Sequence, residues 1–584
     1  MGSKHFINDP THLVNSALES ITLTNPNTAY DSKNKIVYLR PDAAKPQVSI
    51  VSGGGSGHEP SFAAFVGPGL LSGAVAGTIF ASPSAEQVRR CILERVETSK
   101  GALVVVMNYT GDVLNFGMAV EKAKAAGLDV RMVVMGDDAG VGRAQGGKVG
   151  RRGIAGTVFI HKIAGALAAT GASLDDVEKV AKAVAENTVS IGSSLSHVHV
   201  PGRDVSSEEE ESLKKDEIEI GMGIHNENGA EVTKNDLPTT VKTMLKYMLD
   251  AGDQDRGFLK VDKSDETVLL INNLGGVSVL ELGGITTEVV KQLEKDHGIK
   301  PVRILAGTFM TSLNGLGFSI SLLKVTHLAV GSVLELLDAP SEAAGWSAAI
   351  SSKTWSNKPS QTRETGSGNK IENKPCGISL DPSTKTALAK ALDRVIAAEP
   401  DVTKYDTVVG DGDCGIGLKR GAEGIKKYLD SGSEQKDAAL FVDGIVEVVE
   451  SDMDGTSGAL YAIFLNAVAY GLRQQSGGSG GSADAKVWAK ALDTAMETLG
   501  QYTQAKVGDR TLVDALAPFV EQLNSTSDVQ KAAQAADEGA KKTKGMKANL
   551  GRTVYVGGSG YEEVPDPGAH GLAEFFKGLA EALR

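Results

Sequence analysis

His225 lies in the run Gly221-Met222-Gly223-Ile224-His225-Asn226-Glu227. The glycines let backbone and ligand approach closely, so this imidazole is a candidate reactive group rather than a core residue. Two upstream stretches carry compatible chemistry. Ser52-Gly53-Gly54-Gly55-Ser56-Gly57-His58-Glu59-Pro60 joins a glycine loop to a second histidine, and Asn108-Tyr109-Thr110-Gly111-Asp112 places a carboxylate just past an apolar run, where a general base belongs. The glycine loop is not Gly-x-Gly-x-x-Gly and no P-loop lysine follows it, which disfavours dinucleotide binding. Downstream, Asp406, Asp411 and Asp413 fall within eight residues, with Gly410, Gly412 and Gly415 interleaved. Such carboxylates repel one another unless a cation joins them. Spacing alone leaves a solvated loop, a weak calcium loop or a magnesium site open. The loop lacks the glutamate that ends a calcium-binding hand, so magnesium with nucleotide phosphates fits better.

Around that acidic loop lie several phosphate-binding candidates. Cys414-Gly415-Ile416-Gly417 offers backbone amides, a role indifferent to side chains. Thr456 and Ser457, in Asp454-Gly455-Thr456-Ser457-Gly458, precede an apolar helix whose start they would cap or lend to phosphate. His197-Val198-His199 is too closely spaced for a metal pair and has no evident carboxylate, so it reads as loop structure. Glu208 to Glu211 reads as a solvated charged loop, and the Asn272 to Gly276 and Asn314 to Gly317 stretches as folding landmarks.

The elements that must position these residues follow from hydrophobic pattern. Val48 to Val51, Ala102 to Met107, Val130 to Met135, Val268 to Ile271 and Val302 to Ala306 are short aliphatic runs that predict buried strands. Helical patterns such as Ala85 to Ser99 and Gly117 to Ala126 lie between them, so an α/β region with ligands at strand ends is expected. The polar stretch from Ser351 reads as a linker. After it, Lys385 to Ala398, Ala438 to Glu450, Leu460 to Leu472, Ala485 to Leu499, Thr511 to Leu523, Val529 to Lys541 and Ala569 to Leu583 predict helices, with Glu399-Pro400 closing the first. Gly477 to Ser482 reads as a loop inside this series. The expected division is 8–350, a linker at 351–378, and 379–584.

Composition narrows the function. The chain has 584 residues, 41% hydrophobic, with 73 acidic and 60 basic side chains for a net charge of −13, so it has no basic excess for nucleic acid or an anionic membrane. Three scattered cysteines, Cys91, Cys376 and Cys414, favour a reducing compartment. No long apolar run and no apolar N-terminal core occur, so a soluble, cytoplasmic protein is expected.

Together, these motifs resemble the dihydroxyacetone kinase family in its ATP-dependent, two-domain form. Further matches are Gly508-Asp509-Arg510-Thr511-Leu512-Val513-Asp514, Gly551-Arg552-Thr553-Val554-Tyr555, and Asp566-Pro567-Gly568-Ala569. The resemblance implies an α/β sugar-binding domain of two α/β subdomains and an all-α helical barrel for the nucleotide. It implies that Gly53, Gly54, Gly55, Ser56 and Gly57 wrap dihydroxyacetone, that His58 and Asp112 touch its hydroxyls, and that His225 binds its carbonyl carbon as a hemiaminal. It further implies that Asp406, Asp411 and Asp413 hold two Mg2+ ions on ATP. Cys414 to Gly417, Thr456, Ser457, Thr511, Leu512, Arg552, Asp566, Pro567 and Gly568 would line the nucleotide site. D-glyceraldehyde as a second substrate, a homodimer, and a role in glycerol and dihydroxyacetone catabolism and detoxification are implied as well. The chain departs from the family at Met107, where a lysine is usual, at Asp454, and at Leu512 in place of methionine. Two alternatives accompany this expectation: an added FAD-AMP lyase activity forming cyclic FMN, and a non-catalytic regulatory binding protein. A subunit fed by phosphoenolpyruvate is disfavoured because both domains are fused here.

Overall fold

The computed structural model describes residues 4–40, 46–203, 213–328, 331–356, 373–431, 435–453, 455–475, 481–550 and 560–583. They form two compact units, Met1–Thr362 and Arg363–Arg584. Arg552, Asp454, Glu208 to Glu211 and most of the Gly477 to Ser482 run lie outside the described residues.

The first unit holds two six-stranded sheets. One contains β1 (Thr28–Asp31), β2 (Ile36–Leu39), β3 (Ser49–Ser56), β4 (Gly73–Ile79), β5 (Ala102–Met107) and β6 (Val130–Met135), in the order β1-β2-β4-β3-β5-β6. β4, β3, β5 and β6 run parallel. The other contains β7 (Thr188–Ser194), β8 (Ile218–Ile220), β9 (Glu231–Thr233), β10 (Thr267–Asn273), β11 (Arg303–Gly307) and β12 (Gly317–Lys324), in the order β11-β10-β12-β7-β8-β9. β5 is apolar throughout because both faces are covered. Leu103, Val105 and Met107 enter the core with Phe159 and Ile163, whereas Val104 and Val106 meet Phe116 and Val120 on the opposite face.

Two expectations change here. The strand predicted at Val48 to Val51 continues through the glycines to Ser56, its register shifting between Gly54 and Ser56, so the glycine segment is largely strand. The helix predicted from Gly117 begins at Thr110, which puts Asp112 in its first turn.

The second unit is a ring of helices: Pro382–Val409, Cys414–Asp430, Ala438–Asp452, Gly455–Gln474, Ala485–Tyr502, Val513–Thr526, Val529–Lys542 and Pro567–Ala582. Each packs on the next, and the last returns to the first. Asp381, Asp437, Asp484, Asp528 and Asp566 each cap a helix by accepting backbone N–H groups. The ring encloses an apolar cavity of about 490 Å³ bordered by Leu388, Leu418, Ile445, Phe464 and Phe576. The first helix does not stop at Pro400 but runs on to Val409; packing along its whole length outweighs a proline's local cost of about 3 kcal/mol. The Cys414–Asp430 helix was not anticipated. Cys376 and Ile378, at the end of the expected linker, lie in this unit's core. Among the described residues, no helix is long and apolar enough to cross a membrane.

The buried helix Thr157–Ala169 carries His161 under the first sheet. Ser52 Oγ donates to Val105 O at 2.7 Å, so it accepts from His161 Nε2 at 2.9 Å. Nδ1 has no partner among the described residues, and burial pushes the imidazole down to about 3. The unfolded chain takes that proton near pH 6.5. His161 therefore contributes its full stability above about pH 6.5 and loses it as pH falls toward 3. Replacing it in His161→Gln should flatten the fall of unfolding free energy between pH 6 and 4 by up to about 1.4 kcal/mol per pH unit, one proton's worth, in urea titrations at stepped pH. An unchanged slope would contradict the assignment.

Candidate active site

The sugar-unit residues converge through one segment of loop between β11 and β12. Leu313 N–H donates to Gly57 O at 2.7 Å and Thr311 N–H to His58 O at 3.2 Å, tying this loop to the end of β3. Ser312 Oγ donates to Ile224 O at 2.6 Å, tying it to the histidine loop after β8. Asn226, in a left-handed conformation, clasps the backbone of Val198 with its amide at 3.0 and 2.9 Å. That clasp is the structural use of the His197 to His199 segment, and His197 itself pairs with Glu219. His58 and His225, 167 positions apart, are thereby brought to an Nε2–Nε2 distance of 3.0 Å.

Proton positions follow from partners. His58 is fully buried, and its Nδ1 donates to Thr311 O at 2.9 Å. Burial and the neighbouring His225 charge push His58 down to about 3, so the ring is neutral and its Nε2 carries a lone pair. His225 Nε2 therefore donates across the pair, while its Nδ1 donates to Glu227 Oε1 at 3.0 Å. Phe80 stacks on His58 with centroids 5.4 Å apart, and Tyr109 meets His225 edge-on at 4.6 Å.

Asp112 is 4% exposed beside this pair. Burial raises its carboxyl, opposed by a hydrogen bond from Ser82 and by the charge of His225. Its Oδ1, like the Tyr109 hydroxyl, has no partner among the described residues. Unpartnered buried polar atoms beside two imidazoles are what a small hydroxylated molecule would satisfy. Met107 instead lies in the core at the end of β5. Glu227 carries no role in the sequence motif as read above, although its place two residues from His225 is the local signal for this bond. Thr311 left no signal, because it acts through its carbonyl.

In the helical unit, Asp406, Asp411 and Asp413 bring carboxylate oxygens within 4.8 Å of one another, Asp406 buried and the other two exposed. Asp413 stands at the N-cap of the Cys414–Asp430 helix without spending its side chain on capping. Asp406 Oδ2 accepts the Cys414 N–H at 3.0 Å, and Gly417 N–H belongs to the helix ladder, so only Gly415 and Ile416 can offer amides to a phosphate. Burial, with the charge of Asp406, pushes the Cys414 thiol up to about 12, leaving it inert. Ser457 Oγ lies 4.0 Å from Cys414 Sγ, while Thr456 is exposed nearby.

Thr511 Oγ1 accepts the Val513 N–H at 3.2 Å just ahead of the Val513–Thr526 helix, and Leu512 lies against Gly568. Asp566 caps the last helix ahead of the buried Pro567. Withdrawal from water pushes its carboxyl up to about 7, with Asp514 and Asp406 adding to the rise and Arg510 opposing it. Arg510 was missed as a site organiser. It is buried and donates to the carbonyls of Thr543, Tyr561 and Val564 at 3.2, 2.7 and 2.9 Å. An acidic cluster with this donor set, one oxygen already fixed by a backbone N–H, suits a hard divalent cation.

A pair of facing imidazoles beside unpartnered buried oxygens on an α/β unit, with a cluster of three carboxylates on a helical ring, fits a two-unit phosphotransferase class. The Dak1 domain model matches residues 19–345 and the DAK2 domain model residues 408–581. Dihydroxyacetone kinase 1 of Saccharomyces cerevisiae is 44% identical, covering 100% of both chains. Triokinase/FMN cyclase of Homo sapiens is 34% identical over the same span. The crystal structure of the dihydroxyacetone kinase from C. freundii in complex with AMP-PNP and Mg2+ is 31% identical, covers 99% of each chain and superimposes with a TM-score of 0.64. The chain belongs to the dihydroxyacetone kinase family.

Gly415 supplies a direct test of the helical site. A Cβ there would lie 2.2 Å from Thr403 Oγ1 and 2.7 Å from Glu399 O. The loop carrying Asp411 and Asp413 would have to move, at an overpacking cost of about 1–3 kcal/mol. Gly415→Ala should therefore weaken binding of a non-hydrolysable ATP analogue with Mg2+ about 10-fold or more by calorimetry, with dihydroxyacetone binding unchanged.

Proposed function

We infer that this ATP-dependent dihydroxyacetone kinase holds its sugar as a covalent hemiaminal on Nε2 of His225. The observation that carries the inference is the 3.0 Å contact between His225 Nε2 and the buried, neutral His58. A triose has six heavy atoms, and at a ceiling near −1.5 kcal/mol per atom noncovalent contacts cap its affinity. A reversible bond adds affinity and selects a carbonyl over the alcohol of glycerol.

In this mechanism His225 passes its Nε2 proton to His58, and the freed lone pair adds to the carbonyl carbon. The carbon–oxygen π pair moves to oxygen, which takes the proton back from His58. His58 ends neutral, and His225 carries the positive charge it had before. Asp112 then accepts the proton of the attacking hydroxyl, whose oxygen displaces ADP from the γ-phosphorus. The unpartnered Asp112 Oδ1 supports that assignment. Asp406, Asp411 and Asp413 would hold Mg2+, which supplies counter-charge to the triphosphate when bound. Two ions are proposed, since three carboxylates with two of them exposed leave room to bridge a pair.

We assign the sugar site to 8–350, the linker to 351–378 and the nucleotide site to 379–584, with Gly53 to Gly57 around the triose and Thr456, Ser457, Leu512, Arg552 and Gly568 around the nucleotide. D-glyceraldehyde is a second substrate, as its carbonyl can add to the same nitrogen and a human relative is named a triokinase. A homodimer is supported by Val279 and Leu280, which stand 88% and 89% exposed on the sugar unit.

His225→Ala should abolish dihydroxyacetone turnover, by roughly 10³-fold or more, while leaving Mg–nucleotide affinity intact. With [2-13C]dihydroxyacetone, the wild-type protein should show the labelled carbon in the tetrahedral region of the spectrum, and the variant only the ketone and its hydrate. Near-normal turnover in the variant would remove the hemiaminal.

A further inference from the structure

We propose that Glu227 is the positioning residue of the sugar site, its carboxylate fixing the Nδ1 proton of His225 and so aiming Nε2 at the substrate carbonyl. The proposal deepens the hemiaminal reading and rests on it. Both oxygens of this carboxylate are committed to a single residue. Oε1 accepts from the His225 ring at Nδ1, at 3.0 Å, and Oε2 accepts the His225 backbone N–H at 2.9 Å. Ring and backbone are thus held by one rigid group, which leaves the imidazole little freedom to rotate away from His58.

The surroundings are built to hold that carboxylate. Gly223 packs against it: a Cβ on Gly223 would lie 2.0 Å from Glu227 Oε2 and 2.6 Å from an Arg152 guanidinium nitrogen. Arg152 is anchored in turn by the buried Asp138 at 2.7 Å and by Gly221 O at 2.6 Å. Burial acts to raise the Glu227 carboxyl, but its bond to His225 and the charges of His225 and Arg152 outweigh that and hold it down at about 2. The group is therefore an anion throughout the physiological range. The Gly-x-Gly-x-His-x-Glu spacing gains a physical reason from this: the second glycine clears space for the glutamate that orients the histidine.

The consequence is chemical as well as geometric. With a proton locked on Nδ1, the ring's nucleophilic pair can form only at Nε2. In the addition, the Nε2–carbon bond forms, the carbonyl π pair passes to oxygen, and that oxygen takes the proton held between the two histidines. The alkylated ring keeps its Nδ1 proton and its positive charge, and the Glu227 carboxylate faces that charge before and after. Losing the carboxylate should release the ring and its Nδ1 proton, so that Nε2 is no longer aimed at the carbonyl and the adduct fraction falls, ahead of any effect on phosphoryl transfer.

The test uses the full-length protein with 15N-labelled histidine and [2-13C]dihydroxyacetone. Glu227→Gln should lower the tetrahedral-carbon fraction and kcat/KM for dihydroxyacetone together by roughly 10- to 100-fold, as for loss of one charge-assisted hydrogen bond, with Mg–nucleotide affinity unchanged. Glu227→Asp, which keeps the charge, should recover part of the loss. A Gln variant with a wild-type adduct fraction would overturn the proposal while leaving the hemiaminal standing. A wild-type protein showing only ketone carbon would sink the hemiaminal and this proposal with it. Should the variants not fold, the wild-type 15N spectrum decides alone: Nδ1 of His225 must carry a proton, and a bare Nδ1 overturns the assignment.

Discussion

Two imidazole nitrogens 3.0 Å apart can share only one proton between them, so one ring must be neutral and must turn its lone pair to the contact. His58 meets that condition because it is buried and because Thr311 O takes its Nδ1 proton. The carbonyl comes from the loop between β11 and β12 of the second sheet, while His58 follows β3 of the first. Neither sheet could set the protonation pattern alone. The glycine segment, the Asn226 clasp and the Ser312 bond to Ile224 all serve to hold that one contact in register.

The two sites solve opposite problems. The triose is small and uncharged, and the site proposed for it is dry, with Asp112, His58 and the Tyr109 hydroxyl all withdrawn from water. Such a site gains its selectivity from fixed donors and acceptors in a low dielectric. A triphosphate is heavily charged, and the site proposed for it is open, with Asp411 and Asp413 exposed at a helix start. There a low dielectric would penalise the anion, while cations and helix-start amides offset its charge. The buried Asp406 links the regimes, one oxygen fixed by the Cys414 N–H and its carboxylate still within the cluster.

Close helix packing explains the main misreading of the helical unit. The Cys414–Asp430 helix carries glycines at 415, 417, 421 and 424, a pattern that argues against helix by propensity. Three of them have contact reasons. A Cβ would strike Thr403 Oγ1 at 415, Met453 Sδ at 421 and, at 424, Asp452 Oδ2. The propensity cost is accepted because neighbouring helices come so near. Pro400 is the same case, a local breaker overridden by packing along the Pro382–Val409 helix. At the aspartate caps Asp437, Asp484 and Asp528 the predicted starts agree with the structure to within a residue, since a cap is a local interaction that leaves a local mark, whereas the helices capped by Asp381 and Asp566 begin at Pro382 and Pro567, ahead of the predicted Lys385 and Ala569.

Residue types and their spacing are enough for the inventory: an imidazole in a glycine-rich run, three clustered carboxylates, an alternating α/β half and a helical half. Those are matters of residue type and short-range pattern, and β5 and β6 agree with their predicted bounds because aliphatic runs, interrupted in β6 only by Arg131, admit little else. Tertiary structure decided the chemistry. That His58 is neutral, that its partner stands 167 positions away, and that Thr311 and Glu227 hold the two Nδ1 protons depend on burial and on contacts between distant segments. A proton's position is governed by the groups within about 3 Å of it, and which groups those are is decided only when the chain has folded.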